Sequence, residues 1–530
     1  MHRPHRLTGV PASAGYAEGP LFDLDGQIRA YTGSGDPQKE RAALDEAIAA
    51  TVASLAELAG ALGDDAAEIL EFQIAMLEDD ALVGPAQAAI AEGLPADAAW
   101  RQALDAEIAG YEAAEQDYFR ARAADLRDMR DQVLAVLAGG GASGSPAGAI
   151  LFGDDIGPTR FLETDWSRGG GIALKAGSAA SHVAMLARAR GVPMVVGLGD
   201  AAGIVAGLAL LDAEHGGIVL SPDEEERAAF RARSTAFRAE RDRVGTFLSR
   251  PARTRRDTEV RVNVNVADPS DVDHIDIATC DGVGLMRTEF LFGGATGLPD
   301  EETQYAAYAK VLDWACGKPV TIRTVDAGGD KPVPGFTLAE SNPFLGLRGI
   351  RLSLARPDVF RVQARALLRA AVRGTLKVMF PMIAVPDEYR RACALFEAEA
   401  GRLAGEGIAH RMPPLGIMVE VPSTAVTPDL FADAAFFSIG SNDLTQYVMA
   451  AARDNGALAS LASVRHPAVL RLIEGVARYG AERGIPVSLC GDAGGDPTTI
   501  PALIEAGLRE LSVAPAQLGA AKAAIAEVAV

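Results

Sequence analysis

Arg287, Arg323 and Arg453 are permanently charged, planar forks whose paired N–H groups match the oxygens of phosphate and carboxylate. Glu420 and Asp443 have no His or Cys nearby in sequence. They make an oxygen-donor pair of the kind that holds Mg²⁺, with substrate oxygens and waters completing the shell. Cys490 is a thiol with an ordinary pKa of about 8.5, suited to act as general acid or base. Read alone, it is equally a half-buried hydrophobic residue. The runs AGGDK (327–331, ending in Lys331) and GSND (440–443, containing Asn442) add small residues and backbone N–H groups near a ligand. The set asks for a small molecule carrying both phosphate and carboxylate, held on Mg²⁺.

His182 stands apart from these residues, in GSAASHVAMLARARGVPMVVG (177–197). A polar, small-residue loop delivers it to the start of a short amphipathic helix that ends at Gly191-Val192-Pro193. One reading is a surface or capping residue. The other is a nucleophile: a helix N-terminus favours an arriving anion, small neighbours leave room for a bulky partner, and neutral imidazole accepts a phosphoryl group.

The elements that must position these residues are legible in the pattern. Eight strand-like runs recur after Arg253: EVRVNVN (259–265), GVGLMR (282–287), PVTIRTVD (319–326), LKVMFPM (376–382), LGIMVEV (415–421), AFFSIGS (435–441), PVSLCG (486–491) and LRELSV (508–513). Helix-length segments such as 301–315, 387–404 and 465–483 separate many of them. Eight βα-type units in about 270 residues predict a (β/α)8 barrel, although a doubly wound sheet is also compatible. The polar residues fall at strand ends: Arg287 with Glu289 beyond it, Arg323 and Asp326, Glu420, Asn442-Asp443, and Cys490 with Asp492. Barrel active sites are built at those ends.

Upstream, residues 1–24 are strand-like, and 36–137 are rich in Ala, Glu, Leu, Asp and Arg, which predicts helices. In ILEFQIAMLEDDAL, Ile69, Phe72 and Met76 share a face, with Leu70, Ile74 and Leu77 beside them. AGGGASGSPAG (138–148) breaks this region, and short strands alternating with glycines follow to Pro222. The expected organisation is an α/β domain of residues 1–24 and 138–222 carrying His182, a helical insertion at 25–137, a linker helix at 223–252, and the barrel at 253–530.

With 49% hydrophobic and 23% charged residues, the composition is that of a soluble globular protein. A net charge of −21 argues against a nucleic-acid surface, so an anionic substrate must meet locally gathered arginines. Four scattered cysteines give neither a disulfide framework nor a zinc site. The opening MHRPHRLTGVPASAG lacks an apolar signal core and no span-length apolar run appears, so a cytoplasmic protein without membrane association is expected. No Ser–His–Asp pattern and no GxxxxGK loop is evident.

Several runs resemble one family closely. DGVGLMRTEFLF, IRTVDAGGDK, NPFLGLRGIR, GIMVEVPS, FFSIGSNDLTQY and SLCG are similar to the barrel motifs of enzyme I of the phosphoenolpyruvate-dependent sugar phosphotransferase system. ILEFQIAMLEDDAL and ARAADLRDMRDQVL resemble the helical insertion that docks its carrier protein HPr, and GVPASAGYAEGP resembles its opening strand. The resemblance implies a phosphotransferase in which His182 is phosphorylated on Nε2. Arg287, Arg323 and Arg453 would clamp phosphoenolpyruvate, helped by Asn442 and Asp443. It also implies Mg²⁺ on Glu420 and Asp443, Cys490 as proton donor to the enolate, and Lys331 in a motif lining the same site. An HPr-type partner and a homodimer through the barrel follow from the same likeness. The family's usual Gly-Gly-x-Thr-Ser-His reads Gly177-Ser178-Ala179-Ala180-Ser181-His182 here, its Glu after the cysteine is Asp492, the acidic residue before its last arginine is Ala452, and Gln73 stands where a histidine is common. Phosphoenolpyruvate synthase and pyruvate phosphate dikinase share the barrel but need a nucleotide-binding domain for which the chain before His182 is too short. The alternative is a regulatory or catalytically weak paralogue that senses phosphorylation state.

Overall fold

Alternating apolar residues in eight short runs close into a barrel in the computed structural model. The structure describes residues 5–24, 31–60, 64–112, 117–140, 145–179, 181–199, 207–292, 297–329, 333–338, 340–452, 458 and 461–530. The chain divides into two units, Met1–Ala239 and Glu240–Val530.

In the first unit, strands β1 (His5–Thr8), β2 (Val10–Ser13) and β3 (Tyr16–Asp23) precede helices α1 (Pro37–Gly60), α2 (Asp64–Leu77), α3 (Asp80–Ala91), α4 (Ala96–Glu112) and α5 (Asp117–Leu137). The chain returns as β4 (Ile150–Gly153), α6 (Pro158–Glu163), β5 (Gly171–Leu174), α7 (His182–Arg190), β6 (Met194–Val196), β7 (Leu208–Asp212) and β8 (Gly217–Leu220). Among the described residues these strands form one sheet in the order β1-β8-β7-β3-β4-β5-β6-β2. The helices leave after β3 and return to β4, which pairs with β3 in parallel. Leu44, Leu55, Trp100, Leu104, Met129 and Val133 are fully buried in the helical core.

The buried face of α2 differs from the expected stripe. Leu70, Gln73 and Leu77 are buried, whereas Phe72, Ile74 and Met76 are only half-buried, and the side chain of Ile69 is outside the described set. The helix also stops at Leu77, and Asp79 caps α3 by accepting from the Ala81 N–H. Gln73 is tolerated inside because it is bonded: its Nε2 donates to Asp128 (3.1 Å) and its Oε1 accepts from Thr159 (3.2 Å). Burial pushes the Asp128 carboxyl up to about 6 despite those bonds.

Helix α8 (Glu224–Gly245) leads to the second unit. There β9 (Arg261–Val266), β10 (Val283–Met286), α9 (Glu301–Trp314), β11 (Val320–Arg323), α10 (Ile350–Ala355), α11 (Pro357–Ala370), β12 (Leu376–Phe380), α12 (Pro386–Gly405), β13 (Leu415–Val419), α13 (Pro422–Val426), β14 (Phe437–Ile439), α14 (Ser441–Met449), α15 (Pro467–Arg483), β15 (Val487–Leu489), α16 (Ile500–Glu505), β16 (Glu510–Val513) and α17 (Leu518–Glu527) follow in order. Parallel pairing from β9 through β16 and back to β9 closes the barrel, which settles the choice left by the sequence. Val262, Val264, Ile322, Val378, Ile417, Phe437 and Leu511 face the surrounding helices. The alternate positions Leu285, Met379, Met418, Phe436 and Cys490 pack together inside.

A candidate active site at the mouth of the barrel

Because a parallel barrel aligns the C-terminal ends of its strands, residues far apart in sequence meet there. Arg287 follows β10 directly. It is half-buried, and its guanidinium makes no hydrogen bond or ion pair with a described residue. Arg323 closes β11 and is 5% exposed. Its Nη2 lies 3.0 Å from Glu289 and its Nη1 3.1 Å from Asp326. Its Nε is buried with no partner. Burial opposes the charge, but the Glu289 and Asp326 carboxylates outweigh it and hold the guanidinium firmly protonated.

Glu420, just past β13, is 1% exposed. Its Oε1 accepts from the Met382 N–H at 2.7 Å. Met382 itself adopts φ 59°, a conformation a non-glycine residue holds only at a cost of order 1 kcal/mol. Burial, and then the charges of Asp443 and Asp326, push the Glu420 carboxyl up. Asp443 sits in the first turn of α14, and a Cβ on Gly440, the residue before that helix, would press on Glu420, coming 2.8 Å from its Oε2 and 3.0 Å from its Cβ. Asn442 is held by Asp492, donating to its carboxylate at 2.9 Å and accepting from its N–H at 3.1 Å. Cys490 is 3% exposed, and burial pushes its thiol up to about 11. It is therefore protonated at neutral pH.

Arg348 was not among the candidates read from the sequence. It is 1% exposed and stacks on Phe344 (5.8 Å to the ring centroid). It forks onto two carboxylates at once: Asp326 at 3.0 and 3.0 Å, and Asp443 at 3.2 and 3.1 Å. The available signal was a lone charge inside the apolar, glycine-flanked run FLGLRGI, which implies a buried and paired cation. Its charge too is held by Asp326 and Asp443 against burial. The mouth thus carries a chain of alternating charge, Glu289–Arg323–Asp326–Arg348–Asp443.

Lys331 and Arg453 lie outside the described residues. His182 is the first residue of α7, and its side chain lies outside the described set. The helix itself is well specified: Ser181 caps it by accepting from the Ala184 N–H at 3.2 Å, and Gly191 ends it in the left-handed conformation, φ 65°.

Among the described residues no three acidic, His or Cys side chains cluster closely enough to cage a metal. A divalent cation nevertheless fits the donor set. Glu420 and Asp443 are both hard oxygen donors, buried and mutually repelling, and Mg²⁺ commonly takes one or two carboxylates plus substrate oxygens and water. The buried hydroxyls of Ser441 and Thr324 have no partner among the described residues either, leaving polar capacity for a ligand.

The chain matches three consecutive families. These are described as PEP-utilising enzyme, N-terminal (residues 8–122), PEP-utilising enzyme, mobile domain (145–216), and PEP-utilising enzyme, PEP-binding domain (241–530). It is 37% identical over 473 residues to the phosphoenolpyruvate-protein phosphotransferase of Priestia megaterium, covering 88% of this chain and 82% of that one. Against the proteins of the same name from Geobacillus stearothermophilus and Bacillus subtilis it is 35% and 34% identical, covering 99% and 98% of this chain and 94% of each relative. With a match to the PEP-binding domain over more than half its length and relatives aligned nearly end to end, the chain belongs to the PEP-utilising enzyme family, among the phosphoenolpyruvate-protein phosphotransferases.

Proposed function

We propose that this chain transfers the phosphoryl group of phosphoenolpyruvate to its own His182 and from there to a histidine of an HPr-type carrier. The observation that carries this reading is the meeting of buried arginine, paired carboxylates and a protonated buried thiol at the strand ends of one barrel. Arg287 and Arg323, with Arg453 and Lys331, bind the substrate's phosphate and carboxylate, and Asn442, held in register by Asp492, helps to orient it. Glu420 and Asp443 would hold a divalent cation, proposed as Mg²⁺, which when bound offsets charge on the substrate oxygens.

In the first half-reaction the Nε2 lone pair of His182 attacks phosphorus, an N–P bond forms, and the P–O bond to the enol carbon breaks. The departing enolate is stabilised by Arg323 and Arg287 and takes the Cys490 thiol proton on its methylene carbon, giving pyruvate. Solvent returns a proton to the thiolate. Phosphohistidine then passes the group to the carrier. His182 lies in the segment matched to the family's mobile domain, and a histidine that visits donor and acceptor in turn suits such a segment.

The proposed domains are a phosphohistidine domain (1–24 and 138–222), a carrier-binding helical insertion (25–137), a linker helix (223–252) and the substrate-binding barrel (253–530). We place the enzyme in the cytoplasm as a homodimer joined through its barrel. No described helix is long and apolar enough to cross a membrane. The test is pyruvate release followed continuously. Phosphoenolpyruvate and Mg²⁺ should release a burst of about one pyruvate per chain, and turnover should continue only when an HPr-type protein is added. Steady release without a carrier, or no burst, would overturn the reading.

A further inference from the structure

Arg348 does more than neutralise a buried carboxylate. An ionised carboxylate offers about four lone-pair positions on its two oxygens. Arg348 occupies one on each oxygen of Asp443, at 3.2 and 3.1 Å, in the parallel two-bond geometry that fixes a carboxylate's plane as well as its place. The guanidinium cannot drift, because Asp326 grips it from another edge at 3.0 and 3.0 Å. The Phe344 ring lies across its face, and the Tyr447 hydroxyl, itself bonded to the Phe344 carbonyl at 2.6 Å, stands 3.3 Å from Nη1. Asp326 is in turn tied to Arg323, so the orientation of Asp443 is coupled to a substrate-binding arginine.

We infer that Arg348 is a positioning residue that fixes the carboxylate plane of Asp443, and so presets one arm of the divalent-cation site before cation and substrate arrive. This rests on the reading of Asp443 as a cation ligand. The groups that hold a metal's ligands commonly control 10- to 100-fold in metal affinity. Here the controlling group is a cation. Deleting it would both free Asp443 and leave extra negative charge that attracts metal, two opposing effects. Arg348→Lys separates them: it keeps the charge and loses the planar fork.

The experiment titrates Mn²⁺ into the full-length protein and follows free Mn²⁺ by electron paramagnetic resonance, alongside thermal melting. The expected result is a Mn²⁺ dissociation constant about tenfold or more higher in Arg348→Lys than in wild type. Raising the cation concentration should restore His182 phosphorylation to its full extent. A merely structural role would lower the melting temperature or the active fraction and leave the cation dependence unmoved. Should Arg348→Lys fail to fold, Tyr447→Phe removes the hydroxyl that braces Nη1 with no change of charge, and the same directional shift is expected.

Asp443→Asn distinguishes two failures. If it abolishes Mn²⁺ binding while Arg348→Lys binds within twofold of wild type, the positioning inference is overturned and the cation site stands. If Asp443→Asn binds Mn²⁺ like wild type, the cation is not at Asp443 and both are overturned.

Discussion

Replacing Cys490 tests the proton step and its direction. With its thiol pushed up to about 11 by burial, Cys490 is fully protonated near pH 7, and only on the order of one part in 10⁴ is thiolate. As a donor it is therefore always ready, and pyruvate formation should not vary with pH between 6 and 9 on account of this group. The reverse step, removal of a methyl proton from pyruvate, needs the thiolate. Exchange of pyruvate methyl protons for deuterium should therefore climb about tenfold per pH unit from 7 to 10 and level off near 11. Positioned proton transfer contributes about 10²–10⁴-fold, so Cys490→Ala should slow both pyruvate formation and exchange by that factor. Rapid-quench single turnovers measure the first and proton NMR in D₂O the second. Exchange that is flat from pH 7 to 10, or Cys490→Ala exchanging as fast as wild type, would refute the assignment.

Arg323→Gln removes a buried cation from between the Glu289 and Asp326 carboxylates, although Arg348 still holds Asp326. It should cost about 3–5 kcal/mol by denaturant titration and raise the KM for phosphoenolpyruvate. Ser181→Ala removes the cap of α7 and should cost that helix about 1 kcal/mol, read as faster amide exchange at Ala184. Glu40 accepts from the Ala96 N–H, Ser34 and Tyr31; although burial opposes ionisation, these bonds hold its carboxyl near 2, below the ordinary 4.5. Its contribution is thus present above pH 4.5 and lost as pH falls through 2. With exposed Ser34 beside it screening the interaction, about 1.5 kcal/mol should be missing in Glu40→Gln at pH 7, and the two proteins should converge in stability near pH 2.

The barrel was legible because strands buried on both faces stay apolar at every outward position, and because the polar interruptions come at strand ends. The run AFFSIGS shows the limit of that reading. Only Phe437–Ile439 is strand, since the chain must turn at Gly440 to bring Asp443 beside Glu420. Composition also pointed to helices between residues 36 and 137, but the apolar stripe read on α2 is not its buried face. Gln73 counts as polar in any stripe, and its burial depends on Asp128 and Thr159, 55 and 86 residues away. Arg348 stayed hidden for the same reason: its partners lie 22 and 95 residues away, and no local pattern announces them. Asn442, read as a substrate ligand by likeness, is also tied to Asp492 across the ends of the paired strands β14 and β15, a contact 50 residues apart that no local pattern announces. Residue types thus report which chemistry is available, and topology decides which residues share it.

The central claim is that the phosphoryl group passes through His182. The most direct measurement is the intact mass of the full chain after incubation with phosphoenolpyruvate and Mg²⁺, under mildly alkaline conditions that preserve phosphohistidine, for wild type and His182→Ala. One phosphate on wild type and none on His182→Ala is the predicted result. Phosphate on both, or on neither while phosphoenolpyruvate still binds the barrel, would contradict it.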